Sequence, residues 1–231
     1  MVETPDNLPY GPCGVNRVVH TCGLSLENKL WEHGFKMVAG VDEVGRGPLA
    51  GPVVAACVVL PPNLFLPEVN DSKKLTPKKR EKLFDQIIKN AQEVGIGIVG
   101  EKTIDRMNIL NASLKAMWEA VNKLKNPPEF ILVDGNQKIP QLLLPQMPVV
   151  KGDCLSLSIA SASIVAKVTR DRIMLKYHRK YPEFCFAEHK GYATKIHVEA
   201  LKIFGPCQIH RKSFKLVRMC EANQIDLEMS R

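Results

Sequence analysis

Asp42 and Glu43 stand side by side where the apolar run from Met37 to Val41 ends, and Val44, Gly45, Arg46 and Gly47 follow at once. Adjacent carboxylates at a strand end can hold a hard divalent cation. An arginine between two glycines, whose missing Cβ lets backbone come close, can hold a phosphate. Acids for a cation beside a cradle for an anion are what metal-dependent phosphodiester chemistry needs. The same event recurs: the run Phe130 to Val133 ends in Asp134 and Gly135, and Pro148 to Val150 leads through Lys151 and Gly152 into Asp153. Sites assemble at strand ends in open α/β sheets, so three neighbouring strands could bring Asp42, Glu43, Asp134 and Asp153 into one cluster. All-oxygen donors suit Mg2+ or Mn2+, whereas zinc usually draws in histidine or cysteine.

Each acid also has an ordinary role open to it. A carboxylate after a strand commonly forms a turn or caps a helix, and Asp153 could cap a helix beginning near Leu155. Neighbours in a regular strand point to opposite faces. Asp42 and Glu43 therefore serve one cluster only if the strand bends or the longer Glu43 stem reaches round.

The elements that must position these groups alternate in type. Met37–Val41 and Val53–Leu60 read as strands, the second apolar almost throughout and so buried on both faces. The short link through Gly51 and Pro52 predicts an antiparallel pair. Val94–Val99, Phe130–Val133 and Pro148–Val150 complete five strands. Helices are expected over Leu26–His33 with Gly34 as C-cap, and after the N-cap Thr76 with Pro77 at the first helical position. One more starts at Thr103, with an apolar stripe from Ile104 to Val121, and others span about Leu155–Tyr181, Thr194–Phe204 and Ser213–Ala222. This is a mixed α/β unit over residues 25–231 with a helical C-terminal extension, preceded by an irregular leader, residues 1–24.

The chain has 231 residues and a formal net charge of +8, which favours polyanionic partners. Its seven cysteines are odd in number and lack paired spacing, the pattern of reduced thiols in a cytoplasmic protein. Neither Cys13, His20 and Cys22 nor Cys207 and His210 repeats the ligand pair of a structural zinc module. No apolar run reaches the roughly 20 residues that span a bilayer, and the N-terminus lacks a signal pattern.

The stretch Ala39 to Ala56 resembles the opening signature of the ribonuclease HII family. The likeness continues in order through Asp71–Leu75, Val133–Gly135, Lys151–Asp153, Ala162–Val168 with Arg170 and Asp171, His189–Thr194 with His197, and His210, Arg211, Ser213 and Phe214. The resemblance implies a ribonuclease H-like fold, a mixed five-stranded sheet flanked by helices with a helical C-terminal part. It implies cleavage of the RNA strand of RNA–DNA hybrids and incision 5′ of single ribonucleotides in duplex DNA, leaving 3′-hydroxyl and 5′-phosphate ends. The family's four carboxylates fall on Asp42, Glu43, Asp134 and Asp153. Its sugar-phosphate contacts fall on Gly45, Arg46 and Gly47, and Tyr192 falls where a ring packs on the sugar after the ribonucleotide. The sister family, ribonuclease HIII, typically has Gly-Lys-Gly at the loop and a glutamate as fourth acid; Arg46 and Asp153 argue against it.

Lys73, Lys74, Lys167 and Arg170 are candidate phosphate contacts. No histidine is assigned to catalysis, since bound metal already activates water. A monomer is expected. The tail Gln224–Glu228 loosely resembles sliding-clamp-binding peptides. Two other functions compete: a ribonuclease H-like nuclease for DNA junctions, and a catalytically silent hybrid binder, against which the full set of acids speaks.

Overall fold

The computed structural model describes residues 22–229 except 63, 65, 67 and 70–74, with side chains described as far as residue 222. The leader up to residue 21, Lys73, Lys74 and the side chains of the clamp-like tail lie outside the described residues.

The strands are β1 (Val38–Val44), β2 (Val53–Val59), β3 (Glu93–Val99), β4 (Phe130–Asp134) and β5 (Gln146–Val149). The helices are α1 (Ser25–Glu32), α2 (Pro77–Asn90), α3 (Glu101–Met107), α4 (Ile109–Asn122), α5 (Leu157–Lys180), α6 (Phe186–His189), α7 (Lys195–Phe204) and α8 (Lys215–Met229). Short 3-10 turns at Gly152–Cys154 and Pro182–Phe184 precede α5 and α6 respectively. The strands form one mixed sheet in the order β3-β2-β1-β4-β5. β1–β2 and β2–β3 are antiparallel, as the short link at Gly51 predicts, while β1–β4 and β4–β5 are parallel.

Alternation along the strands divides the core. Ala39, Val41, Ala55, Cys57 and Val133 face α4, where Ala112, Ala116 and Ala120 let helix and sheet approach. Val54, Ala56 and Val58 face α5 and α2, meeting Ala162, Val165, Leu83 and Ile87. The C-terminal helices close a separate cluster in which Leu49 and Ala50 meet Met174, Phe184, Phe186 and Leu201. Small residues on β2, α4 and α5 thus set how near the helices sit to the strands carrying the acids.

Local chemistry accounts for the helix ends. Gly34 (φ +92°) ends α1, with the Gly34 N–H donating to Trp31 O and the Phe35 N–H to Leu30 O, a Schellman closure. Thr76 caps α2 by accepting from Lys79 N–H at 3.3 Å. Ser156, not Asp153, caps α5, its Oγ accepting from Ile159 N–H at 3.1 Å. Buried Glu27 pins α1 to that end, its Oε1 accepting from Ser156 Oγ and Ser158 N–H.

Three boundaries differ from the sequence reading. The helix read as continuous from Thr103 to Val121 breaks at Asn108, whose φ of +67° no helix interior accepts, and whose side chain accepts from Asn111 N–H to start α4. The last strand begins at Gln146, two residues before the proline taken to open it. The final helix runs to Met229, beyond Ala222.

Candidate active site

β1 continues through both acids without a bend: Asp42 pairs with Ala56, Glu43 with Ala55 and Val44 with Val54. The two side chains therefore leave opposite faces of the sheet. Asp42 points toward α5, where the Ser163 hydroxyl bonds its carboxylate. Glu43 lies on the α4 side, in an open cleft of about 220 Å³ lined by Glu43, Arg46, Leu110, Ser113, Asp134 and Gln137. Asp134 ends the parallel neighbour β4, one rung beyond the Val41–Val133 pair, and so sits beside both. Its Oδ1 accepts from Gly152 N–H at 2.8 Å and holds the turn that carries Asp153. Glycine suits this grip, because a Cβ at residue 152 would stand 2.5 Å from Ile159 Cδ1 and 3.2 Å from Asp134 Oδ1 itself.

The acids work against one another. Burial, then the charges of Glu43 and Asp134, hold the Asp42 carboxyl well above the usual carboxylate range, although Ser163 and the Glu43 N–H oppose the shift. Burial also raises Glu43; Arg46, 3.3 Å away, opposes this, and Asp134 adds to it. Three hard-oxygen donors whose charges compete in a buried space are a donor set that a divalent cation fits. Asp153 is buried in the turn that Asp134 holds through the Gly152 N–H. Among the described residues, no three His, Cys, Asp or Glu side chains are arranged to hold a metal ion as they stand.

Of the residues read as substrate contacts, the Gly45–Gly47 loop and Tyr192 lie together, and Lys73 is outside the described residues. Gly45 (φ +94°) turns the chain away from β1, and a Cβ there would meet Arg170 Nε at 2.2 Å. A Cβ at Gly47 would stand 3.8 Å from the ring of Tyr192, so loop and ring face one another; Tyr192 is 41% exposed. Arg46 is half exposed and leans on Glu43.

Arg170 is not a phosphate contact. It is fully buried and donates to Pro52 O, Lys190 O and Ala50 O at 2.9, 2.9 and 3.1 Å, which leaves no face toward solvent. Lys167 is paired with Asp171 at 2.7 Å. Arg211 is a second buried arginine that sequence reasoning missed, since an arginine in a basic chain carries no mark of burial.

His189, His197 and His210 form a buried cluster around Phe184 and Phe186, with His197 Nε2 and His210 Nε2 3.0 Å apart. Burial pushes His197 down to about 4; burial and His197 push His210 down to about 3. Both are neutral at pH 7, and one hydrogen bond joins the rings. The cluster holds the Tyr192 loop, His197 Nδ1 donating to Tyr192 O at 2.9 Å, and gives no acid or base to the cleft.

A model of the family Ribonuclease HII matches residues 39–217. The ribonuclease HII of Caldanaerobacter subterraneus subsp. tengcongensis is 58% identical over 188 residues, covering 81% of this chain and 78% of that protein. The ribonuclease H2 of Pyrococcus horikoshii OT3 superposes with a TM-score of 0.69 at 32% identity, over 81% of this chain and 98% of that one. A PCNA–RNase HII complex from Archaeoglobus fulgidus contains a chain with a TM-score of 0.62 and 32% identity, covering 73% of this chain and 88% of that one. With the family's model spanning most of its length and a relative 58% identical over 81% of the chain, this chain belongs to the ribonuclease HII family of metal-dependent nucleases.

Proposed function

We propose that this protein cleaves the RNA strand of RNA–DNA hybrids and incises 5′ of a single ribonucleotide embedded in duplex DNA, leaving 3′-hydroxyl and 5′-phosphate ends. The observation that carries this reading is the adjacency of two elements: the carboxylates of β1 and β4, and the Gly45–Gly47 loop facing Tyr192. Asp42, Glu43, Asp134 and Asp153 are the residues that would hold Mn2+ or Mg2+. Two such ions, when bound, supply an activated water and neutralise charge on the leaving oxygen.

The chain's own groups do the selecting. Gly45, Arg46 and Gly47 bring backbone close enough to sense a 2′-hydroxyl, the group that separates RNA from DNA. The exposed Tyr192 ring offers a flat apolar face to the following sugar and accepts a deoxyribose more readily than a ribose. Lys73 adds a phosphate contact. On this reading residues 25–231 act as one catalytic unit, a cytoplasmic monomer.

Cleavage products of a duplex carrying one ribonucleotide, mapped with Mg2+ and with Mn2+, should show a single cut on the 5′ side of that residue. Cleavage of an all-DNA duplex at a comparable rate would overturn the assignment. Tyr192→Ala should slow junction cleavage about tenfold, the size of a lost stacking contact, and spare uniform hybrids. Equal loss on both substrates would remove the junction-reading role.

A sliding clamp is proposed as a partner of the tail, supported by the motif at Gln224–Glu228 and by the PCNA complex of the Archaeoglobus fulgidus relative. Deleting residues 224–231 should abolish co-purification with the clamp and leave cleavage of short duplexes unchanged; retention of the clamp would refute it.

A further inference from the structure

Arg211 and Arg170 are fully buried, yet among the described residues neither forms an ion pair with an Asp or Glu. A buried guanidinium is costly unless its donors are used, and here they are used on neutral carbonyls. Arg211 Nε donates to Gly51 O at 3.0 Å, Nη1 to Arg46 O at 2.9 Å and Nη2 to Gly45 O at 2.5 Å. Burial, then the charge of Arg170, lowers the Arg211 guanidinium to about 9, so it stays charged near neutral pH.

The two loop carbonyls it grips belong to particular peptide units. The Gly45 carbonyl shares its peptide with the Arg46 N–H, and the Arg46 carbonyl shares its own with the Gly47 N–H. In a trans peptide C=O and N–H point in opposite directions. Drawing both carbonyls inward therefore turns both N–H groups outward, and among the described residues neither is bonded to an acceptor. A cation on the carbonyl side also polarises each peptide, which strengthens the N–H as a donor. The Arg46 side chain is turned to Glu43 and does not cover the loop. Arg170 fixes the opposite wall by holding Lys190 O, two residues before Tyr192.

We propose that Arg211 is a positioning residue that makes the Gly45–Arg46 and Arg46–Gly47 peptides a two-donor cradle for a phosphate of the nucleic acid flanking the ribonucleotide. This rests on the reading that the loop lies against substrate. Donors polarised by a cation hold an anionic oxygen strongly, so these two N–H groups take the phosphate while the loop backbone stays beside the 2′-hydroxyl.

The test is a binding cycle in chelator, where nothing is cut. It uses a one-ribonucleotide duplex and copies in which each flanking phosphate is replaced in turn by a neutral methylphosphonate. In the wild-type protein one replacement should weaken binding about tenfold or more. Arg211→Gln should bind the unmodified duplex about tenfold more weakly and show little further loss from that replacement; Arg211→Lys, which keeps the charge but cannot span two carbonyls, should fall between. An undiminished methylphosphonate penalty in Arg211→Gln would leave Arg211 only a structural role and overturn the proposal. So would the absence of any penalty in the wild type. Should Arg211→Gln not fold, the wild type decides: the Arg46 and Gly47 amide resonances must shift with the unmodified duplex and not with the methylphosphonate copy. Cleavage mapping reads the reaction and this cycle reads the cradle, so the two can fail separately.

Discussion

Asp42→Asn is expected to abolish cleavage and, in metal-free buffer, to raise the melting temperature. Asp42 is 7% exposed and shares its surroundings with Glu43 and Asp134. Its carboxyl is harder to ionise in the folded chain than in the unfolded one, so ionisation costs stability at neutral pH. The stability that the protonated carboxyl contributes is intact below the unfolded carboxylate range near pH 4 and is lost as pH rises through the raised folded value. Asparagine keeps an acceptor for the Glu43 N–H, which donates to Asp42 Oδ1 at 2.7 Å, and carries no charge. Relief of this kind is worth about 1–2 kcal/mol, or roughly 2–8 °C for a chain of this size. Activity should move the other way by about a thousandfold or more, because a carboxylate proposed to hold the metal is gone. Added Mn2+ should stabilise the wild type well above its effect on the variant. A variant that melts lower in chelator would show that Asp42 is not crowded, and one that still cuts would show that it is not needed.

The strands were legible in the sequence because β-branched runs such as Val53–Val59 have no other comfortable conformation, and the acids were legible because each follows such a run. The relation between Asp42 and Glu43 was not. Either a bend or the reach of the longer Glu43 stem looked necessary, and the ladder to β2 runs past both residues unbroken. Asp134, from a strand nearly a hundred residues later, bridges the two faces at the sheet's end. Asn108 hid its break because asparagine occurs inside helices as well as at their caps, and here it takes the cap, with positive φ and its side chain accepting from Asn111 N–H. Arg170 and Arg211 were opaque for a non-local reason: their carbonyl partners come from residues 45–52 and 190, and no spacing along the chain announces such a meeting. Of the substrate contacts, the Gly45–Gly47 loop and Tyr192 meet.

Gly40→Ala should cost about 3 kcal/mol or more, a fall of roughly 6–12 °C in melting temperature. Gly40 reads as one residue of an apolar strand, yet it is the contact on which α5 rests. A Cβ there would stand 2.2 Å from Ser158 C, 2.3 Å from Ile159 N and 2.6 Å from Ser158 O, all backbone atoms with no rotamer to yield. The helix cannot tilt freely, because Glu27 holds Ser158 N–H at 2.9 Å and Gly23 O accepts from Leu157 N–H at 2.9 Å. Asp42 lies two residues along the same face, bonded to Ser163 of the displaced helix, so activity should fall together with stability. Gly100→Ala is the matched control: nothing lies within 4 Å of its Cβ position and its φ is −78°. That change should cost about 1 kcal/mol or less, the difference between glycine and alanine at an N-cap. Equal melting temperatures for the two variants would mean that α5 does not bear on β1 at Gly40, and the support inferred for Asp42 would fall with it.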